Sequence, residues 1–291
     1  MEYYLNQLIN GICQGAIYAL IAIGYAVVVG AVGMVSFAHG SVIMIGAFAA
    51  YYTFGLIGNN IIVGILASFS ASFLLGIFIY KVCYERFFNA SRMISLLCTI
   101  GVSMLLKNLG QIVFGYARKP MLNVIEIRSY TWGGLRISSL QIIVILVVII
   151  VSLMIWFLFN KTKWGISMRA VSQDKTAAYM VGINVRRTTL LGTCIGCSLG
   201  GVAGMLYSIY YQYLEATMGG SLGMKAFSAT VLGGLTDVRL SSIGGLILGI
   251  IENLGISVTS ASYRDIFAFI LLIIILVFRP KGLAAKKGEK F

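Results

Sequence analysis

The 291-residue chain is 59% hydrophobic and only 11% charged, with a mean hydropathy of +0.94. A soluble domain of this length keeps about a quarter of its residues charged, so the composition excludes a water-soluble globule. A formal net charge of +13 would suit nucleic acid. The basic residues instead cluster in the links between apolar runs, where positive charge sets membrane orientation.

Apolar windows predict spans near 8–30, 40–57, 62–80, 93–115, 138–159, 188–210, 226–236, 241–258 and 264–279, judged against the roughly 20 residues needed to cross a bilayer. Residues 1–10 carry Glu2 and no Lys or Arg, which does not fit a secretory signal. The expected fold is all-α, a polytopic membrane helix bundle forming one domain over 1–291.

Between the first two spans, "AVGMVSFAHG" (31–40) interrupts the apolar pattern with Gly33, Ser36, His39 and Gly40. His39 is the sole histidine. Non-helical backbone at membrane depth survives only where protein or a wet cavity satisfies its polar groups. His39 therefore either donates to a freed carbonyl and holds a packed joint, or faces a translocation path. A second interruption is read at 219–225, "GGSLGMK", before a seventh span too short to cross alone. An offset of 187 sets Gly33 on Gly220, Ser41 on Ser228 and Gly46 on Gly233. Two interrupted or half helices, entered from opposite sides, are the mark of an inverted repeat around a pathway.

Within the sixth span Gly192, Gly196, Gly200 and Gly204 form a ridge for close helix approach, as do Gly245 and Gly249 later. Cys194 and Cys197 lie in the same apolar run and read as small packing residues rather than a zinc or redox pair. Glu252 sits in an otherwise apolar span and requires a partner, a proton or a wet cavity. Lys225, at the second interruption, is the partner that the topology offers.

Fourteen of the 22 basic residues fall in links 81–92 and 160–187 and in the tail after 278. Nine crossings put all three on one side, cytoplasmic by the positive-inside rule, with the N-terminus outside and the C-terminus inside. Arg118, Lys119, Arg128, Arg136 and Arg264 fall on the other side, partly offset by Glu2, Glu126, Glu215 and Asp265.

Several blocks share one resemblance. "NGICQGAIYALIAIGYAVVVGAVGMVSFAHGSVIMIGAF" (10–48) resembles the start of the permease subunits of branched-chain amino acid ABC importers. "WGISMRAVSQDKTAAYMVGINV" (164–185), "KAFSATVLGGL" (225–235), "GGLILGIIENL" (244–254) and "FRPKGL" (278–283) resemble later blocks in the same order. Ser36 stands where the pattern often has Asn, and "LTDVRLSSIGG" lacks some of the usual glycines. The resemblance implies residence in a bacterial cytoplasmic (inner) membrane. It implies four further subunits: a second, homologous permease as heterodimer partner, two cytoplasmic ATPases, and an extracytoplasmic substrate-binding protein. No cofactor, metal or nucleic acid is implied.

It also implies that 164–187 docks on the ATPase through a Glu-Ala-Ala-x-x-x-Gly helix. Here that run reads "TAAYMVG", with Thr176 in the acidic place and Asp174 nearby. Arg169, Asp174, Ala177, Ala178 and Gly182 are the coupling candidates, with Ala177, Ala178, Met180 and Val181 offering a small apolar face. Ser36, His39, Gly40, Lys225 and Glu252 are the pathway candidates.

The dipeptide Gly-Lys never occurs, so there is no Walker A loop, and the single histidine has no nucleophile beside it. Enzymatic activity is not expected. An ion-coupled secondary transporter, with Glu252, His39 and Asp265 as carriers, is the rival reading; a membrane scaffold explains the glycine ridges but neither interruption. Leucine, isoleucine and valine are the substrates that the resemblance implies, with urea or short amides second.

Overall fold

The computed structural model describes residues 2–88, 91–121, 124, 128–132, 135–260 and 263–278. Among these are eleven α-helices: α1 Glu2–Val32, α2 His39–Ile57, α3 Ile61–Ile79, α4 Arg92–Phe114, α5 Ser139–Lys161, α6 Lys163–Gln173, α7 Lys175–Met180, α8 Val185–Tyr211, α9 Met218–Gly233, α10 Val238–Val258 and α11 Arg264–Phe278. Seven of them, α1–α5, α8 and α10, are long and apolar enough to cross a membrane. The 16-residue α9 and the 15 residues of α11 are shorter than that. The basic tail after 278 and Glu126, on which the charge argument drew, lie outside the described residues.

Polar side chains mark where several helices start. Asn60, Ser138, Thr162, Asp174, Asn184 and Asp237 each accept a backbone N–H from the first turn they precede. At Ser138 the cap is reciprocal, because the Gln141 side chain returns to the Ser138 N–H. α3 ends in a π-helical turn, Tyr80–Glu85.

Four short strands, which the sequence did not reveal, close one end of the bundle. β1 (Lys119–Pro120) pairs antiparallel with β4 (Tyr213–Leu214), and β2 (Ser129–Trp132) with β3 (Leu135–Ser138). The helices α6 and α7 close the opposite end.

Two helices form the axis. α1 is buried from Cys13 through Val32, and α8 is buried along most of its length. They cross antiparallel where Gly24 meets Gly196 and Gly200. Each is clasped by a helix from the other half of the chain. Ser241, Gly245 and Gly249 of α10 face the bundle, with Gly245 on Ala19 and Gly249 on Gly15 of α1. Ser68 and Ser72 of α3 face Gly201 of α8, and Gly76 faces Cys194. Chain order α1–α2–α3 thus recurs inverted as α8–α9–α10, with small residues every four positions at both clasps. In the absence of a hydrophobic drive between helices, such close approach supplies the packing energy.

The repeat stands in a different register from the one read in the sequence. The two regions meet where Gly40 packs on Gly219. Gly33 ends α1 at φ +80°, whereas Gly220, its supposed counterpart, lies inside α9.

Candidate functional site

The first interruption is shorter than expected, 33–38, so His39 and Gly40 belong to the first turn of α2. The stretch 219–225 is not an interruption at all. It is helical, and the actual break is 212–217, opening with Gln212 in the left-handed conformation at φ 59°. The three glycines of "GGSLGMK" suggested a break because each lowers helix propensity by about 1 kcal/mol. Tertiary packing overrides that preference here. A Cβ on Gly219 would strike the Gly40 carbonyl, and one on Gly223 would press the Gly40 Cα at 3.0 Å. The glycines are where two backbones cross.

Beside this crossing, α2, α4 and α9, with Tyr25 of α1, line a half-open cavity of about 320 Å³. Its floor is Gly40, Gly219, Gly220 and Gly223, and its hydroxyl-bearing residues are Tyr25, Ser36 and Ser103. Phe37, Ile100, Met104, Met224 and Phe227, with the Tyr25 ring, form the walls. The volume falls in the range of small-molecule sites, roughly 300–1,000 Å³. No ionised side chain lines it among the described residues. The N-terminal turns of two helices border it, a position that favours a ligand's negative end.

The non-helical segment 33–38 is held by groups from α4 and the π-helical turn, far away along the chain. The Tyr84 hydroxyl, in the π-helical turn, donates to Ser36 Oγ at 2.7 Å, and the Phe37 N–H donates to Thr99 Oγ1 at 3.3 Å. Ser41 Oγ lies 3.1 Å from Ser103 Oγ and donates to the Ser103 carbonyl. His39 is buried edge-on to Tyr25, ring centroids 5.3 Å apart, against the middle of α8 at Gly200. Neither ring nitrogen makes a hydrogen bond of ordinary geometry, although the Ile21 carbonyl lies within electrostatic reach. His39 stands one residue from the cavity without being part of its lining.

Lys225 and Glu252 come together elsewhere. Lys225 Nζ lies 3.0 Å from Glu252 Oε1 and 2.8 Å from Asp265 Oδ1. Arg264 Nε approaches the same Glu252 oxygen at 3.2 Å, and the Tyr18 hydroxyl donates to it at 3.3 Å. Gln14 and Asn253 extend the network through Tyr18. Lys225 is 3% exposed and Glu252 0%, and neither lines the cavity. Two cations against two carboxylates leave the cluster neutral, which is how charge is tolerated among membrane helices.

At the opposite end, α7 begins at Asp174, whose carboxylate caps the Thr176 and Ala177 N–H groups. It ends at Gly182, φ +84°, with Ile183 N–H bonded to the Ala178 carbonyl and Gly182 N–H to the Tyr179 carbonyl. That is a Schellman motif, which explains the glycine. The expected apolar face needs one correction. Ala178 points inward onto Val171 and Val185, so the outward residues are Ala177, Tyr179 (74% exposed), Met180 (79%) and Val181 (76%). Arg169 donates to the Phe159 carbonyl, tying α6 to α5. Lys175 Nζ donates to the Val32 carbonyl at 2.6 Å, joining α7 to the end of α1 beside the first break. At the strand end, Arg118 pairs with Glu215 at 2.7 Å, and that hydrogen bond raises the guanidinium above its ordinary value.

Residues 7–276 match the model of a family described as branched-chain amino acid transport system / permease component. The chain is 34% identical to the high-affinity branched-chain amino acid transport system permease protein BraD of Pseudomonas aeruginosa, covering 98% of this chain and 96% of that one. Its identity with the corresponding LivH of Escherichia coli K12 is also 34%, with the same coverage. A probable LivH of Methanocaldococcus jannaschii is 26% identical over 96% of this chain and 93% of its own. Among solved structures, PsaBC from Streptococcus pneumoniae in complex with Fab shares the fold, with a TM-score of 0.53 at 17% identity over 94% of this chain and 91% of that one. The chain belongs to the family of branched-chain amino acid transport system permease components.

Proposed function

We propose that the chain, as one permease domain over 1–291, forms part of the path for leucine, isoleucine and valine in an ATP-driven importer of a bacterial inner membrane. The carrying observation is the cavity at the α2–α9 crossing. Its apolar walls suit an aliphatic side chain, its hydroxyls and two helix N-termini suit a carboxylate, and no charged side chain among the described residues lines it to trap a zwitterion. The same lining disfavours urea, which offers nothing to an apolar wall. The names of the relatives support the substrate class.

The second, homologous permease completes the path, and an external binding protein delivers the substrate. ATP is hydrolysed in two separate subunits that dock on 164–187, with Tyr179, Met180 and Val181 as the contact. The N-terminus lies outside and the C-terminus inside, so α6 and α7 face the cytoplasm. Lys175 carries movement of α7 to the Val32 carbonyl and thence to the 33–38 break. The charged cluster around Glu252 braces α9, α10 and α11 beside the path.

The test is a single cysteine at Ser103 in a cysteine-free chain, assembled with its partners in proteoliposomes. A thiol reagent at this position should block leucine uptake, and ATP-driven turnover should alter its labelling rate. Complete labelling with unchanged uptake would remove the cavity from the path. Urea uptake exceeding leucine uptake would overturn the substrate class.

A further inference from the structure

A second and larger hollow runs along the flank of the bundle. α1, α5 and α10 border a groove of about 720 Å³. Its floor is a stripe on α1, from Ile12 through Ala16, Ala19, Ile23 and Ala26 to Gly30. At 1.5 Å per residue the stripe is about 27 Å long. The small side chains keep it hollow, and its other wall is the apolar face of α5. That face continues outward as exposed Ile149, Leu153 and Phe157, so the groove opens to hydrocarbon.

Charge is confined to one end. Near α6 the lining changes to Asn160, Arg169, Ser172, Asp237 and Arg239. Arg239 Nη2 donates to Asn160 Oδ1 at 2.9 Å, and its guanidinium lies 5.8 Å from the Trp156 ring centre. Arg169 is anchored on the Phe159 carbonyl. Asp237 Oδ1 is engaged in capping α10, accepting from the Arg239 and Leu240 N–H groups. A guanidinium has five N–H donors, so most of those on Arg169 and Arg239 remain for a ligand. No charged side chain lines the rest of the groove.

A ligand with an apolar body and an anionic head matches a groove that is apolar along its length, open to hydrocarbon and basic at one end. We propose that this groove is a binding site for an anionic phospholipid of the leaflet facing α6 and α7, which is the cytoplasmic leaflet in the orientation proposed above. The acyl chain lies on the α1 stripe and the phosphate meets Arg239 and Arg169. Basic pockets between membrane helices on that side are a recurring mode of anionic lipid recognition, and guanidinium matches phosphate in a bidentate manner. Because Arg169 belongs to α6, an occupied site also holds the helix that leads into α7.

Native mass spectrometry of the assembled complex, exchanged into mixed phosphatidylglycerol and phosphatidylcholine nanodiscs, tests this directly. Wild type should retain phosphatidylglycerol in preference to phosphatidylcholine. Arg239→Gln should lower that retention at least tenfold, with Arg239→Lys between the two. Ile149→Trp, which fills the apolar channel and leaves both arginines in place, should lower it as well. Equal retention of the two lipids, or unchanged retention in Arg239→Gln, would overturn the proposal. So would a photo-crosslinker at Leu153 that captures a protein partner in place of lipid. The readout is bound lipid rather than uptake, so a failure here leaves the transport reading untouched.

Discussion

Glu252 offers the sharpest separation of bracing from transport. Its Oε1 collects Lys225 at 3.0 Å, Arg264 at 3.2 Å and the Tyr18 hydroxyl, with no exposed surface on the residue. At an effective dielectric constant of 20, opposite charges 3 Å apart attract by about 5 kcal/mol. Desolvating each ion costs several kcal/mol, so the intact pair contributes little net stability. Breaking it is different. Glu252→Leu leaves Lys225 only Asp265 and takes the carboxylate from Arg264, and Lys225→Met leaves Glu252 only Arg264; each unbalances the cluster by one charge and should cost up to about 3–5 kcal/mol. The double variant removes one charge of each sign, leaves Arg264 and Asp265 to balance one another, and should return to within about 1 kcal/mol of wild type. With roughly 2–4 °C per kcal/mol, each single variant should melt on the order of 10 °C lower and the double close to wild type. Thermal melts by fluorescence-detected size exclusion would measure this. Additive losses in the double variant, or single variants within 2–3 °C of wild type, would refute the reasoning. Leucine uptake by a stable double variant then asks the separate question of function, since a brace can be replaced by apolar packing and a conducting group cannot.

Gly40→Ala should cost at least about 3 kcal/mol and abolish uptake, because its Cβ would strike the Gly219 carbonyl, whereas Gly220→Ala, with nothing within 4 Å, should be tolerated in both melt and uptake assays. Gly182→Val forces a β-branched residue to φ +84° and should loosen the end of α7 by about 1–2 kcal/mol, lowering substrate-stimulated ATPase activity in the assembled complex. Met180→Asp should prevent pull-down of the ATPase subunits while the chain still inserts; normal pull-down would move the docking surface elsewhere. Lys175→Met should leave pull-down intact but separate ATPase turnover from leucine uptake, and normal coupling in this variant would remove the α7–α1 link from the mechanism.

Spans were legible because lipid imposes a composition that no other solvent requires, and all nine predicted windows overlap helices. The Gly192–Gly204 ridge was legible for a related reason: a four-residue repeat of glycine has few uses other than backbone approach, and each member meets a neighbouring helix. Glycine misled at 219–225, where the same chemistry was read as a break. The actual break, "QYLEAT" (212–217), contains neither glycine nor proline, so composition carries no sign of it. The inward turn of Ala178 is not legible, because a six-residue helix has too little periodicity to fix its buried face. The π-helical turn that brings Tyr84 to Ser36, and Thr99 with Ser103 from α4, depends on contacts across 48 and 62 residues that local pattern does not encode.

The clasp between α1 and α10 has a consequence for biogenesis. Gln14 and Asn253, which seal it, stand 239 residues apart. At about 5–20 residues per second, a ribosome takes roughly 10–50 s to cover that distance. For that interval the first helix, faced with Gly11 and Gly15 and carrying the Gln14 amide, waits in the bilayer without the surface it was shaped to meet. A nascent chain arrested before residue 238 should therefore be a preferred substrate for membrane proteases and insertases, and release from them should coincide with emergence of α10.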